Sequence, residues 1–148
     1  MKNILIIYGS TTGNSENIAY LVQVILKDRF KVSVKNCIDL PNGFLFTEDI
    51  DIYILCTSTW GIDPASLQED FEIFWHHANK TTLANKKFIL LGLGDKYYPF
   101  FAIAVDILKA SILEHKGIIV DNPLKIDDSI ENKESLLNIY LEKILANL

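Results

Sequence analysis

The sequence predicts a three-layer α/β sandwich in which helices cover both faces of a parallel sheet of five strands. Two observations lead to this fold class. Short apolar, β-branched runs alternate along the chain with segments of helical periodicity. Three of these runs (ILIIY, IYILC and FILLGL) are almost continuously apolar, which is typical of parallel strands buried on both faces. We therefore expect right-handed connections that place helices on both sides of the sheet.

The predicted elements alternate from the N-terminus onward. Strands are expected at residues 3–8, 31–35, 52–57, 87–93 and 117–120. Helices are expected at about residues 15–27, 66–77, 100–116 and 133–147. The segment 39–49 (DLPNGFLFTED) mixes turn-forming and apolar residues, so it fits either a short helix or a packed loop.

Length and composition predict one domain spanning residues 1–148. A net charge of −5 without a basic stripe disfavours a nucleic-acid partner. No apolar run is long enough for a signal-peptide core or a membrane span, so we expect a cytoplasmic protein without a membrane partner. Cys37 and Cys56 lie in no CxxC or Cys/His pattern, which indicates free structural thiols and no metal site.

The first unusual loop follows the first predicted strand, at the sheet edge where ligands of such folds bind. It places five side chains with hydrogen-bonding groups beside Gly9 and Gly13 at the start of a helix: Ser10, Thr11, Thr12, Asn14 and Ser15. It lacks the lysine of GxxxxGK[ST] and the glycines of GxGxxG. Neutral donors at a helix N-terminus fit one terminal phosphate. The alternative is a plain helix cap, which explains one such residue but not five.

Two further loops bring aromatic side chains to the same predicted edge. Trp60 stands beside Gly61 after the third strand, where it is either a platform for a planar ligand or a cover over the core edge. Residues 92–101 end the fourth strand with two glycines and then four aromatics. A tyrosine at the tip is a candidate second wall, whereas Phe100, Phe101 and Ala104 have helical spacing, which fits core packing better. Together the loops predict a slot for a planar group linked to a phosphate.

These loops together resemble the flavodoxin family, and specifically its short-chain members, over nearly the whole chain. Residues 10–15 (STTGNS) are similar to the family's S/T-x-T-G-x-T phosphate pattern, with Ser15 in place of the last threonine. The segment 58–71 (STWGIDPASLQEDF) resembles the family's Trp-bearing loop and following helix. Residues 92–106 match G-x-G-D-x-x-Y-x-x-F-x-x-A-V-D, and no long insertion interrupts residues 117–129.

The resemblance implies a sheet order of 2-1-3-4-5 and one non-covalently bound FMN. The implied role is a monomeric, low-potential one-electron carrier that works through a neutral semiquinone. It would accept electrons from a flavodoxin reductase or similar donor and pass them to acceptor redox enzymes, with no catalytic residue. Trp60 and Tyr98 would lie on either side of the flavin ring, and the Gly61 carbonyl would accept a bond from its N5 proton. The other implied cofactor-binding residues are Ser10, Thr11, Thr12, Gly13, Asn14, Ser15 and Ser58 around the phosphate and Thr59, Leu93, Gly94, Asp95, Phe101 and Ala102 at the ring.

Charged residues around this site are expected to set the reduction potential. Carboxylates close to the ring oppose added negative charge and lower the potential. Lys96, and Ile62 in a place where an acid would be unsurprising, are expected to make the second potential less negative. The acids that could lie near the site are Asp63, Glu69, Asp70, Asp95, Asp127 and Asp128.

Three other functions are alternatives to the carrier. A phosphorelay receiver domain would need acids after the first and third strands, where this chain has Tyr8-Gly9-Ser10 and Ser58-Thr59. A small FMN-dependent quinone or nitro reductase would need a second substrate pocket, and turnover with NAD(P)H and quinone alone would identify it. The third alternative, a specialised flavodoxin-like accessory that serves one partner enzyme, is compatible with the sequence.

Overall fold

The computed structural model describes residues 1–60, 66–98 and 101–146. Strands and helices alternate along these ranges, with short 3₁₀ turns at Cys37–Asp39 and Lys80–Leu83. The elements are β1 (Asn3–Tyr8), α1 (Asn14–Leu26), β2 (Lys31–Asn36), β3 (Ile52–Trp60), β4 (Ser66–Leu67), α2 (Glu69–His77), β5 (Lys87–Gly94), α3 (Ile103–Glu114), β6 (Ile118–Ile119), β7 (Leu124–Asp127) and α4 (Lys133–Leu145).

The sheet has the order β2-β1-β3-β5-β6, and all of these neighbours pair in parallel. In its register, Ile6 lies opposite Val34 on one side and Ile54 on the other. The α/β sandwich and the 2-1-3-4-5 arrangement of its central strands are therefore confirmed. The sheet also contains two short strands that the sequence did not predict, β4 and β7.

The fifth position of the sheet is occupied by two short strands instead of one. Both β6 and β7 pair in parallel with β5, β6 near its start and β7 along residues 91–94. Val120, Asp121, Asn122 and Pro123 separate them. Asp and Asn favour turns, and proline has no N–H to donate to a neighbouring strand, so this sequence interrupts the ladder. The predicted strand at 117–120 is correct in place but misses the second segment.

The predicted helix at 66–77 begins later than expected. Ser66 and Leu67 pair antiparallel with Trp60 and Thr59 at the end of β3, and the helix begins only at Glu69. The Gln68 side chain accepts the Phe71 N–H and so caps this helix. Residues 66–67 therefore extend the sheet edge beside the site.

The segment 39–49 is a packed loop rather than a short helix. After the 3₁₀ turn at Cys37–Asp39, the chain continues in turns and irregular structure up to β3. Phe46 is 2% exposed, and its ring packs edge-on against Tyr53 and Phe88 at centroid distances of 5.1 and 5.6 Å. The buried aromatic ring anchors the loop without regular secondary structure.

Alternate residues of β1 enter two apolar clusters on opposite faces of the sheet. Ile4 and Ile6 pack in the cluster that contains residues of α1 and α4, whereas Leu5 and Ile7 pack in the one that contains residues of α2 and α3. This alternation follows from the twofold side-chain period of a strand and confirms the covering of both faces. In the described ranges, no helix is both long enough and apolar enough to cross a membrane.

Candidate cofactor site

A cavity of about 450 Å³ opens at the carboxyl ends of β1, β3 and β5. This is the edge where ligands of doubly wound sheets bind. Most of the described residues that line the cavity come from the three loops singled out in the sequence, and Asp128 follows β7. They are Ser10, Thr11, Thr12, Asn14, Ser15, Ser58, Thr59, Trp60, Gly94, Asp95, Tyr98, Phe101, Ala102 and Asp128.

The structure gathers most of the candidate site residues around this one cavity, with three exceptions. Gly13 does not line it, but its N–H donates to Ser10 Oγ at 2.9 Å and shapes the loop. Leu93 is fully buried within β5 and does not line it either. Gly61 lies outside the described residues, as does Ile62. Phe101, whose spacing fitted core packing, lines the cavity, whereas Ala104 is buried in the core.

The hydroxyl-rich loop is not a plain side-chain cap of α1. The helix begins at Asn14 after Gly13, which has a φ of 91°, and no side chain makes a capping bond to it in the described structure. The first N–H groups of a helix lack partners within the helix and favour an anion at that end. Thr11 and Thr12 are exposed where the loop lines the cavity, so the plain-cap alternative does not account for their hydroxyls.

The same loop lies directly against the start of α2. A Cβ built on Gly9 would fall 2.6 Å from Gln68 Oε1 and 2.9 Å from Phe71 Cβ, closer than real contacts allow. Gln68 is 1% exposed, and its Nε2 donates to Thr11 Oγ1 at 2.9 Å. In the sequence, Gln68 lies inside the helix predicted at 66–77, so its function as a cap was not predicted. A glutamine directly before an acidic first helical turn was the signal available.

Trp60 forms part of the cavity wall rather than a cover over the core. Its side chain is 45% exposed, and its indole N–H donates to Ser58 Oγ at 2.8 Å. Thr59, the residue before it, has a different task. Its Oγ1 accepts the Ala104 N–H at 2.8 Å, at the start of α3, where the preceding Ala102 offers no capping side chain. Thr59 therefore joins the end of β3 to α3.

Replacing Thr59 by valine is expected to lower the free energy of unfolding by about 1 kcal/mol, because the buried end of α3 loses its acceptor. Thermal unfolding of the apoprotein should show a melting temperature lower by roughly 3 °C. Thr59→Ser retains the hydroxyl and is the matched control. If Thr59→Ser destabilises as much as Thr59→Val, the hydrogen bond is not the cause.

The third loop presents two exposed tyrosines with different surroundings. Tyr98, 61% exposed, lines the cavity. Tyr97, 82% exposed, does not line it, and the Lys96 ammonium lies 5.3 Å from its ring centroid. Asp95 holds the turn between them and β5, since its Oδ1 accepts the Tyr97 N–H at 2.9 Å.

Carboxylates and no cations stand among the described residues that line the cavity. Asp128, one of the acids that could lie near the site, lines it together with Asp95. Partial burial raises the pKa of the Asp128 carboxyl, Asp127 and Asp95 raise it further, and Lys133 opposes them. The Lys96 ammonium lies 3.7 Å from the buried Asp127 carboxylate. The Asp127 carboxylate therefore partly neutralises the positive charge of Lys96.

Asp127 is expected to stabilise the fold at neutral pH and to lose this effect in acid. The Ser129 N–H, which donates to its Oδ1 at 3.1 Å, lowers the pKa of Asp127 below its ordinary value of 3.8, and Lys96 adds to this. A carboxyl whose pKa is lower in the folded state stabilises it above the unfolded pKa. The contribution disappears as the pH falls from about 4 through the folded pKa. In urea unfolding, the free energy of unfolding should therefore be higher for the parent than for Asp127→Asn at pH 7, and the two values should converge toward pH 2. A difference that does not change with pH would contradict the role of the Asp127 charge.

Both cysteines are free and buried, as expected. Burial raises the pKa of the Cys37 thiol to about 12 and raises that of Cys56 as well. Because the thiolate is the reactive form, burial disfavours the reaction of either thiol at neutral pH.

The doubly wound fold and this cleft define a class of protein: an α/β protein with an anion-binding loop and aromatic walls at the carboxyl edge of its sheet. The family model described as Flavodoxin matches residues 6–138. A flavodoxin from Maridesulfovibrio salexigens is 34% identical over 140 residues, which cover 90% of this chain and 92% of that protein. A flavodoxin from Nitratidesulfovibrio vulgaris is 33% identical over an alignment that covers 100% of this chain and 100% of that protein.

Solved structures agree with these relatives. A flavodoxin of Streptococcus pneumoniae superposes with a TM-score of 0.82 at 28% identity, over 99% of both chains. The chain therefore belongs to the flavodoxin family, as a short-chain member. Flavodoxins are FMN-binding electron-transfer proteins rather than enzymes, so the family assigns this chain FMN as its cofactor and electron transport as its role.

Proposed function

We propose that this chain is a low-potential carrier of single electrons, with one FMN held non-covalently in the cavity described above. One observation carries the proposal: a single cavity joins the hydroxyl-rich start of α1 to the two aromatic side chains Trp60 and Tyr98. The donor and acceptor of the electrons would both be redox proteins, the donor a flavodoxin reductase or a protein similar to it.

The residues present fit the parts of FMN. The cavity volume of about 450 Å³ lies within the usual range for small-molecule sites. Hydroxyls of Ser10, Thr11 and Thr12 and the free amides of α1 supply neutral donors that suit a phosphate. Trp60 and Tyr98 supply flat apolar surfaces that suit a flavin ring.

Each group of residues has its own task in this carrier. The bound flavin supplies the redox chemistry, in two one-electron steps. The first loop fixes the phosphate, and the aromatic side chains orient the ring and exclude water from its faces. Asp95 and Asp128 oppose additional negative charge in the cavity and so lower the potential. Lys96 offsets this less than its charge suggests, because it lies beside Asp127.

The proposed partners follow from the charge and the exposed rim. The net charge of −5 suits a partner with a basic docking surface, since opposite charges steer association. Tyr97 and Tyr98 give the rim of the cavity exposed aromatic surface that a partner can cover. We place this monomeric carrier in the cytoplasm.

The test is a visible spectrum of the purified protein, an FMN titration of the apoprotein and stepwise anaerobic reduction by a reductase protein. We expect a flavin spectrum, one FMN per chain and reduction that depends on the reductase. A colourless protein that does not respond to FMN would contradict the cofactor. Turnover of NAD(P)H with a quinone in the absence of any reductase would contradict the carrier role.

A further inference from the structure

Gln68 is a buried polar side chain between α2 and the first loop of the cavity, and it belongs to neither the sheet nor the cavity lining. Only 1% of its surface is exposed. Three hydrogen bonds hold its amide: Oε1 accepts the Phe71 N–H at 3.0 Å, and Nε2 donates to Thr11 Oγ1 at 2.9 Å and to Asp70 Oδ2 at 3.2 Å. One amide thus connects the cap of α2 to a loop of the cavity.

The orientation of this amide is dictated by its neighbours. The Phe71 N–H can only donate, so the amide atom that faces it must be the oxygen. The nitrogen therefore faces Thr11 and Asp70, and an ionised Asp70 carboxylate can only accept, which agrees with this assignment. With the amide reversed, oxygen would face Asp70 oxygen and two N–H groups would meet.

The fixed amide determines what the Thr11 hydroxyl does. A hydroxyl has one hydrogen to donate and two lone pairs. Thr11 Oγ1 accepts from Gln68, so this bond leaves its hydrogen free to be donated in another direction. Thr11 is exposed and lines the cavity, where the proposed phosphate would be an acceptor. The bond from Gln68 also polarises the hydroxyl and strengthens it as a donor.

We propose that Gln68 is a positioning residue that orients the Thr11 hydroxyl as a donor to the phosphate of the cofactor and couples phosphate binding to the first turn of α2. This inference rests on the proposed function, since it needs a phosphate in the cavity. Gly9 belongs to the same arrangement, because a side chain there would meet the Gln68 oxygen at 2.6 Å.

Two variants at this position separate the contact with Thr11 from the helix cap. Gln68→Met is of similar length and removes all three hydrogen bonds, whereas Gln68→Ser can still cap α2 but is too short to reach Thr11. Dissociation constants are measured for FMN and for riboflavin, which lacks the phosphate. We expect both variants to weaken FMN about three- to tenfold more than riboflavin. Equal weakening of both ligands, or an effect in Gln68→Met alone, would overturn the positioning role.

A double-mutant cycle with Thr11→Ala tests whether Gln68 acts through the hydroxyl. In the parent, Gln68→Met should raise the ratio of the FMN dissociation constant to the riboflavin dissociation constant. In the Thr11→Ala background, the same substitution should raise this ratio by a factor that is at least about threefold smaller. The same factor in both backgrounds would show that Gln68 acts by another route and would overturn the inference.

Hydrogen exchange of the unmodified protein provides a measurement that does not depend on how the Gln68 variants fold. FMN should slow exchange of the Phe71 amide more than riboflavin does. The substitution Thr11→Ala, which changes an exposed side chain, should abolish that difference. Equal protection by the two ligands would overturn the coupling to α2. Failure of the parent to bind FMN would instead overturn the proposed function, so the two hypotheses fail on different results.

Discussion

Replacing Tyr98 by alanine is expected to weaken FMN binding by about 5- to 100-fold, because stacking on an aromatic side chain contributes about 1–3 kcal/mol. The potential of the second electron should rise by tens of millivolts. An electron-rich ring beside the flavin disfavours its negatively charged reduced form, and about 1 kcal/mol corresponds to roughly 40 mV for one electron. An FMN titration of the apoprotein and a potentiometric titration of the complex measure the two effects.

Tyr97→Ala is the matched control for this substitution. It removes the same side chain one position away, from a residue that is 82% exposed and does not line the cavity. We expect its FMN affinity to stay within about twofold of the parent, as for most substitutions of exposed surface residues. Similar losses in both variants would show that the loop as a whole, rather than the Tyr98 ring, holds the flavin.

Replacing Gly9 by alanine is expected to lower the free energy of unfolding by about 1–3 kcal/mol, the usual cost of forcing an extra methyl into a packed region. The new Cβ would lie 2.6 Å from Gln68 Oε1 and 2.9 Å from Phe71 Cβ, so the first loop or the start of α2 must move. FMN affinity should fall as well, because such a shift displaces the loop that holds the phosphate. Urea unfolding of the apoprotein and FMN titration measure the two losses separately.

Gly43→Ala controls for the general effect of adding a methyl to a glycine. Gly43 has a φ of 75°, which strains any other residue, but a Cβ there would meet nothing within 4 Å and the residue is not part of the cavity. It should lower stability by about 1 kcal/mol and leave FMN affinity unchanged. If Gly9→Ala leaves both stability and affinity unchanged, the close contact with Gln68 is not rigid.

Local chemistry was enough to predict the layers of the fold and the loops of the cavity. A strand that is apolar on both faces, such as ILIIY, buries both faces only when helices cover each side of the sheet. The hydrogen-bonding side chains at 10–15 outnumber those that a helix cap uses. The sequence could not predict which side chains would bond across loops. Thr59 lines the cavity, as expected, but the bond of its hydroxyl to the Ala104 N–H, 45 positions away, was not predicted.

The missed features depend on contacts between distant segments or on short elements. Strands β4 and β7 are two and four residues long, too short for a periodic pattern, and exist because β3 and β5 offer them partners. In the sequence, Gln68 is one polar residue of an acidic predicted helix, and only the fold brings Gly9 and Thr11 beside it. Asp128 was expected only as one of several acids near the site, and the pairing of β7 with β5 is what brings it to the cavity.

The hydrogen bond from Ala104 to Thr59 has a consequence for the entropy of cofactor binding. It joins the segment that carries Trp60 to the helix that follows the Tyr98 loop. The bond therefore fixes the end of β3, which carries Trp60, against the start of α3 before any ligand enters. A preorganised cleft loses less conformational freedom on binding, so more of the stacking and phosphate interactions appear as affinity.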